Sequence, residues 1–294
     1  MTEPSAPLPP AAATETVQRL LQRLGNLPPM PAVAQKALTL IRNPESNMAE
    51  LADVLALDQS MTSLVLRWAN SAYFGLKAPV ATVRQAVVYL GQNAIQSLVL
   101  AASLSAFIDR PAPGYGLERG ELWKHSLGIA SGARLVAAPF GKDIAEEAYH
   151  AGLLADIGKL ALEVALRDVD TSRSDWQGRS FADLEVAHFG IDHAALGAEL
   201  ARRWNLPAPL VEAIAFHHQP SRAQAGLVLA SAVHIADAAL MMLGIGLGRD
   251  GLQYPLDPAA LERMRWTEAG FSDLVDRVAP LIRETETFLE VRPR

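Results

Sequence analysis

The stretch AGLVLASAVHIADAALMMLGIGLG, residues 225–248, is the most apolar run in the chain and constrains the fold more than any other. Its length would let a helix cross a membrane. His234 and Asp237 sit near its middle, however, and a carboxylate at that depth costs on the order of several kcal/mol. No cluster of Lys or Arg flanks the run. It therefore reads as a helix buried in a soluble protein, and the rest of the chain must supply its cover. With 294 residues, 50% hydrophobic and 20% charged, the chain has ample material for a core and for one large domain or two modest ones.

Strand signals are scarce, while helical spacing and caps recur. Asn47 and Glu50 open LADVLAL in the manner of a capping box. Thr82 opens TVRQAVVYLG, where Val83, Ala86, Val87 and Leu90 share one face and Gly91 ends the run. Ser180 opens FADLEVAHF, Asp192 stands at the N-cap of HAALGAELARRW, and Pro207 follows that helix. The pattern predicts about a dozen helices, no strand and an all-α fold. The Pro- and Gly-rich segment DRPAPGYGLERG, 109–120, breaks any helix. It suggests a flexible tail at 1–15, an N-terminal helical lobe at 16–115 and a second helical bundle at 116–250. The helices of 251–294, with Glu262, Arg263, Arg265, Asp276 and Arg277 on polar faces, are expected to pack on that bundle.

The net charge of −6 argues against broad binding to nucleic acid or an anionic membrane, and no basic stripe is visible. Neither is expected as a partner. The absence of cysteine removes disulfides and thiolate metal sites and suits the cytoplasm. The N-terminus lacks the basic and apolar regions of a signal peptide.

All seven histidines (125, 150, 188, 193, 217, 218 and 234) lie in the second half. Taken singly, each is more often a hydrogen-bonded core or surface residue than a ligand. Some spacings add weight. Glu121 and His125 are four apart, Asp156 and Lys159 three apart, and His234 and Asp237 repeat the latter spacing, so each pair shares a helical face. Imidazole and carboxylate together suit Fe, Mn or Zn and the activation of water against a phosphate ester.

The order of motifs carries a resemblance. LPPMPAVAQKALTLI, DQSMTSLVLRWANSAYFGL and PVATVRQAVVYLGQNAIQSLVL in the first half precede LWKHS, AGLLADIGKL, DHAALGAELARRWNLP, AIAFHHQP and AVHIADA in the second. The chain resembles the HDOD branch of the HD superfamily of metal-dependent phosphohydrolases, a family of bacterial signalling proteins. The resemblance implies an N-terminal HDOD helical module and an HD-like bundle. It also places metal ligands at Glu121, His125, Asp156, His193, His217, His218 and Asp237, with Lys159 meeting a phosphate oxygen.

One position departs. Ala155 stands where the histidine of the His-Asp dyad belongs, and alanine offers no lone pair. At most one ion is then tenable, so no cofactor is required and a single Fe, Mn or Zn is the most the vestigial site would hold. The Gly-Tyr-Pro loop of relatives that hydrolyse cyclic di-GMP is absent after HHQP, which disfavours that substrate. The resemblance thus implies a non-catalytic, cytoplasmic signal-transduction regulator, a pseudoenzyme that binds protein partners. Two alternatives stand beside it: a phosphohydrolase acting on a nucleotide or phosphoester, and a module that senses a small nucleotide without turnover. Trp68 and Tyr73 are the candidates for partner binding, in the N-terminal lobe or the groove between lobes, although a Trp at helix spacing is more often core.

Overall fold

The computed structural model describes residues 32–43, 45–70, 78–108, 110–167, 169, 179–246, 248 and 255–290. The expected tail at 1–15, the start of the first HDOD-like motif and Tyr73 lie outside them. Among the described residues the chain is all-helical, and the only β pairing is an isolated bridge between Ala112 and Leu117.

The first lobe is built from α1 (Ala32–Arg42), α2 (Met48–Ala56), α3 (Gln59–Ala69) and α4 (Val83–Ile108). Asn47 Oδ1 accepts from the Glu50 amide at 2.8 Å to cap α2, and Asp58 caps α3 through the Met61 amide at 2.8 Å, satisfying donors a helix start leaves open. Asn70 grips Val80 from both sides, donating to its carbonyl at 2.9 Å and accepting from its amide at 2.7 Å, which joins the end of α3 to the approach to α4. The core is apolar throughout: Ala34, Leu38, Leu51, Leu55, Val65, Val87, Ile95 and Leu98 are buried together.

Gly91, expected to end its helix, instead bends it. Its φ of 80° and ψ of 172° leave the helix, which then resumes and runs to Ile108. A Cβ there would meet nothing within 4 Å, so it is the positive φ and not crowding that calls for glycine.

The second lobe comprises α5 (Glu121–Ala137), α6 (Lys142–Leu154), α7 (Ile157–Leu166), α8 (Phe181–Phe189), α9 (His193–Arg203), α10 (Ala208–Phe216) and α11 (Leu227–Met242). The apolar run forms α11, packed along α5 and α6 and buried from Leu229 to Met241. No helix among the described residues is long and apolar enough to cross a membrane. The tail helices α12 (Pro258–Met264) and α13 (Glu268–Glu290) contact α11, and α13 also lies on α5, burying Leu274, Val278 and Ile282. Between the lobes, α4 touches α6, and half-buried Trp68 packs edge-on against buried Trp123 at 5.4 Å between ring centroids.

Candidate metal centre

Asp156 occupies the N-cap position of α7, yet its side chain caps nothing. It points instead into the middle of the second lobe, 2% exposed. A close approach of backbones puts it there: a Cβ on Gly158 would fall 1.9 Å from the His193 carbonyl oxygen, so only glycine lets α7 meet the start of α9. Asp156 Oδ2 accepts from Lys159 Nζ at 3.0 Å and lies 3.3 Å from His125 Nε2; its Oδ1 lies 3.4 Å from His193 Nε2 and 3.8 Å from His217 Nε2. One carboxylate thus serves two groups of side chains.

The first group is a clamp. His125 Nε2 sits 3.0 Å from Asp237 Oδ1 as well as near Asp156, and its Nδ1 donates to the Ile245 carbonyl at 3.0 Å. Burial pushes the His125 imidazole down, but hydrogen bonds to Asp156 and Asp237 outweigh it and raise its pKa to about 9. Burial likewise opposes ionisation of the carboxylates and is overcome. Lys159 and His125 hold Asp156 well below the usual range, and His125 lowers Asp237. A protonated imidazole is shared by two carboxylates.

The second group is a set of donors. Asp156, His193, His217 and His218 each offer one ligand atom within 4.8 Å of the others. His217 Nδ1 donates to the Ile214 carbonyl at 2.8 Å, so its Nε2 carries the lone pair, and that atom is buried without a hydrogen-bond partner. An orphaned buried acceptor of this kind calls for an explanation. Burial also lowers the pKa of His217, and burial with His217 as neighbour takes His218 well below the ordinary value, keeping both rings neutral as ligation requires. His193 Nε2 and His218 Nε2 stand 2.9 Å apart. Three nitrogens and a carboxylate oxygen suit zinc, iron or manganese, so the residues present fit one divalent ion in this half.

His193 differs from the other two. Glu185 on α8, fully buried, accepts from its Nδ1 and from its backbone amide, both at 2.7 Å, and from Tyr115 Oη at 2.6 Å. Burial lowers the His193 pKa, yet Glu185 more than reverses it, and the net shift is upward. Sequence reasoning missed Glu185, although it stands on the apolar face of α8, four residues after Phe181 and next to Leu184. His234, by contrast, is structural: Nδ1 donates to the His217 carbonyl at 2.8 Å, and Nε2 accepts from the Asp257 amide at 2.9 Å. It thereby ties the turn after α10 that carries His217 and His218 to the start of α12.

Of the sequence candidates, His125, Asp156, Lys159, His193, His217, His218 and Asp237 come together. Glu121 does not join them through any described contact: its Oε2 accepts from the Glu118 amide at 2.6 Å, in the turn that leads into its helix. Ala155 is buried in the α6–α7 turn. A small cleft beside the cluster is lined by His125, Lys159, His218, Asp237, Tyr115 and the loop of Gly246 and Gly248; its water-accessible space is about 10 Å³, room for about one water or ion. That loop presses close, since a Cβ on Gly246 would lie 2.3 Å from the His125 ring.

An all-helical bundle that buries a His/Asp cluster, preceded by a smaller apolar helical lobe, defines an HD-like two-lobed protein. The chain belongs to the HDOD domain family, whose model matches residues 27–220. Among solved structures it is similar to an HDOD domain protein of unknown function from Geobacter sulfurreducens, with a TM-score of 0.73 and 24% identity, covering 93% of this chain and 96% of that one. A protein provisionally named for signal transduction, from Marinobacter aquaeolei VT8, gives 0.70 and 21%, over 95% and 65% of the two chains. One provisionally named a phosphohydrolase, from Shewanella amazonensis SB2B, gives 0.61 and 25%, over 88% and 97%. In sequence, an uncharacterized protein of Treponema pallidum (strain Nichols) is 24% identical over 209 residues; the match spans 70% of this chain but 40% of that protein.

Proposed function

We propose that the chain is a signal-transduction regulator of the HDOD family that acts by binding a protein partner, with a centre that no longer hydrolyses phosphoesters. The observation that carries this reading is the clamp beside Ala155. Where the dyad histidine of HD hydrolases would donate a nitrogen, a methyl group is buried, and the His125 imidazole bridges the two carboxylates instead. A hydrolytic centre needs a cation to lower the pKa of its water and to offset the charge of the phosphate; the remaining half offers donors for one such ion at most. The narrow cleft is in keeping with the same reading, since its water-accessible space of about 10 Å³ is that of one water or ion.

Partner binding falls to the first lobe, where Trp68 keeps part of its surface exposed beside Trp123 and Tyr73 follows close in sequence. The absence of cysteine suits work in the cytoplasm. The second reading is a metal-dependent phosphohydrolase. It is favoured by the converged donors and by buried Lys159, which lies 3.0 Å from Asp156 and could steady a phosphate oxygen.

A turnover assay separates the two. The protein loaded with Mn²⁺ or Fe²⁺ and offered bis-p-nitrophenyl phosphate should release nitrophenol no faster than its Asp156→Ala variant. Turnover that this substitution abolishes would establish the hydrolase instead.

A further inference from the structure

We propose that Glu185 is a positioning residue for the cluster. It holds the His193 ring with Nε2 toward Asp156 and, through Tyr115, ties that ring to the junction between the lobes. The geometry is a two-point hold. A single oxygen, Oε2, accepts from both the backbone amide and the Nδ1 of His193 at 2.7 Å, which fixes the ring in place and in rotation. The remaining edge is Nε2, 2.9 Å from His218 Nε2 and 3.4 Å from Asp156 Oδ1. A carboxylate oxygen accepts here, so Nδ1 keeps its proton and the lone pair of the neutral ring lies on Nε2. A carboxylate behind a ligand imidazole both orients it and strengthens it as a donor.

Glu185 also covers the first amide of α9, and a neutral acceptor could do that much. A full carboxylate at 0% exposure is costly to bury unless every lone pair is used. The other oxygen is used by Tyr115, 70 residues away in sequence. Tyr115 ends the short 3₁₀ turn Pro113–Tyr115 of the interlobe junction. That turn is held by two further groups of the second lobe: the Gly114 amide donates to Glu163 at 3.0 Å, and Lys159 Nζ lies over the Tyr115 ring at 5.9 Å. The orientation of His193 and the seating of the junction therefore belong to one hydrogen-bonded unit.

The test uses the full chain with Glu185→Gln, which keeps an acceptor and loses the charge, and Tyr115→Phe. Zn²⁺ affinity is measured by competition with a chromogenic chelator. Glu185→Gln should bind about 10- to 100-fold more weakly, with the melting temperature of the metal-free protein shifted by only a few degrees. Zn²⁺ should slow amide exchange at 112–117 in the parent and not in Tyr115→Phe. Equal Zn²⁺ affinity in parent and Glu185→Gln overturns the proposal. The affinity readout rests on the reading of the cluster as a cation site; if the parent takes up no Zn²⁺, that reading fails and the ring itself decides. In imidazole ¹⁵N–¹H spectra of the metal-free protein, a far-downfield His193 Nδ1 proton that moves upfield in Glu185→Gln supports the proposal. An unmoved signal overturns it.

Discussion

The two lobes bury different things. All fifteen polar or charged side chains found buried among the described residues, from His125 to Asp237 in the sequence, belong to the second lobe. The described core of the first lobe is wholly apolar, and its surface carries Leu57, Val88 and Tyr89 at 69–76% exposure. Apolar packing stabilises by area and tolerates change in small steps. A buried polar network stabilises only while every member is satisfied. The difference teaches where each lobe can afford variation: the first at its surface, the second almost nowhere near Asp156.

Asp156→Ala leaves Lys159 and His125 as buried cations without their shared partner, and should cost about 4 kcal/mol, in the range for a broken buried pair; thermal unfolding of the metal-free protein reads it. Leu55→Ala, at a fully buried position of the first lobe, should cost about 3 kcal/mol from lost burial and the cavity left. Its Zn²⁺ affinity should stay that of the parent, since the cavity lies in the other lobe.

The pH dependence is smaller and signed. The His125 pKa is raised from 6.5 to about 9, so the stability it contributes is fully present below pH 6.5 and fades as pH climbs through 9. Asp156 and Asp237 are lowered, so their contribution is present above the ordinary carboxylate range and fades as pH falls through their folded values. The metal-free protein should thus lose on the order of 2 kcal/mol between pH 6.5 and 9, a slope that His125→Gln should flatten in urea titrations. Smallest of all is the exposed pair of Arg84 and Asp53, 2.8 Å apart with side chains 63% and 69% exposed. Arg84→Ala should change stability by less than about 1 kcal/mol.

Much of this was legible in the sequence because it is local. Ser180 and Asp192 cap α8 and α9 as their spacing indicates, and the apolar run, with His234 and Asp237 in its middle, is the buried helix α11 that its sequence suggests. The order of motifs named the side chains that converge around Asp156, with Glu121 the exception. What escaped is what joins residues far apart. Nothing near Glu185 in the chain names Tyr115 as its partner, and the segment 109–120, read only as a helix breaker, supplies the tyrosine that completes the hold on His193. Glu121 shares a helical face with His125, yet an amide one turn earlier claims its carboxylate. Gly91 signals a departure from helix geometry but not whether the helix resumes.

The most direct test of the claim that Ala155 limits the centre is a count of metal per chain. After loading with excess Fe²⁺, Mn²⁺ or Zn²⁺ and removal of loosely held ions, the parent should retain no more than one ion per chain, lost in Asp156→Ala. Two ions per parent chain, bridged through Asp156, would contradict the account.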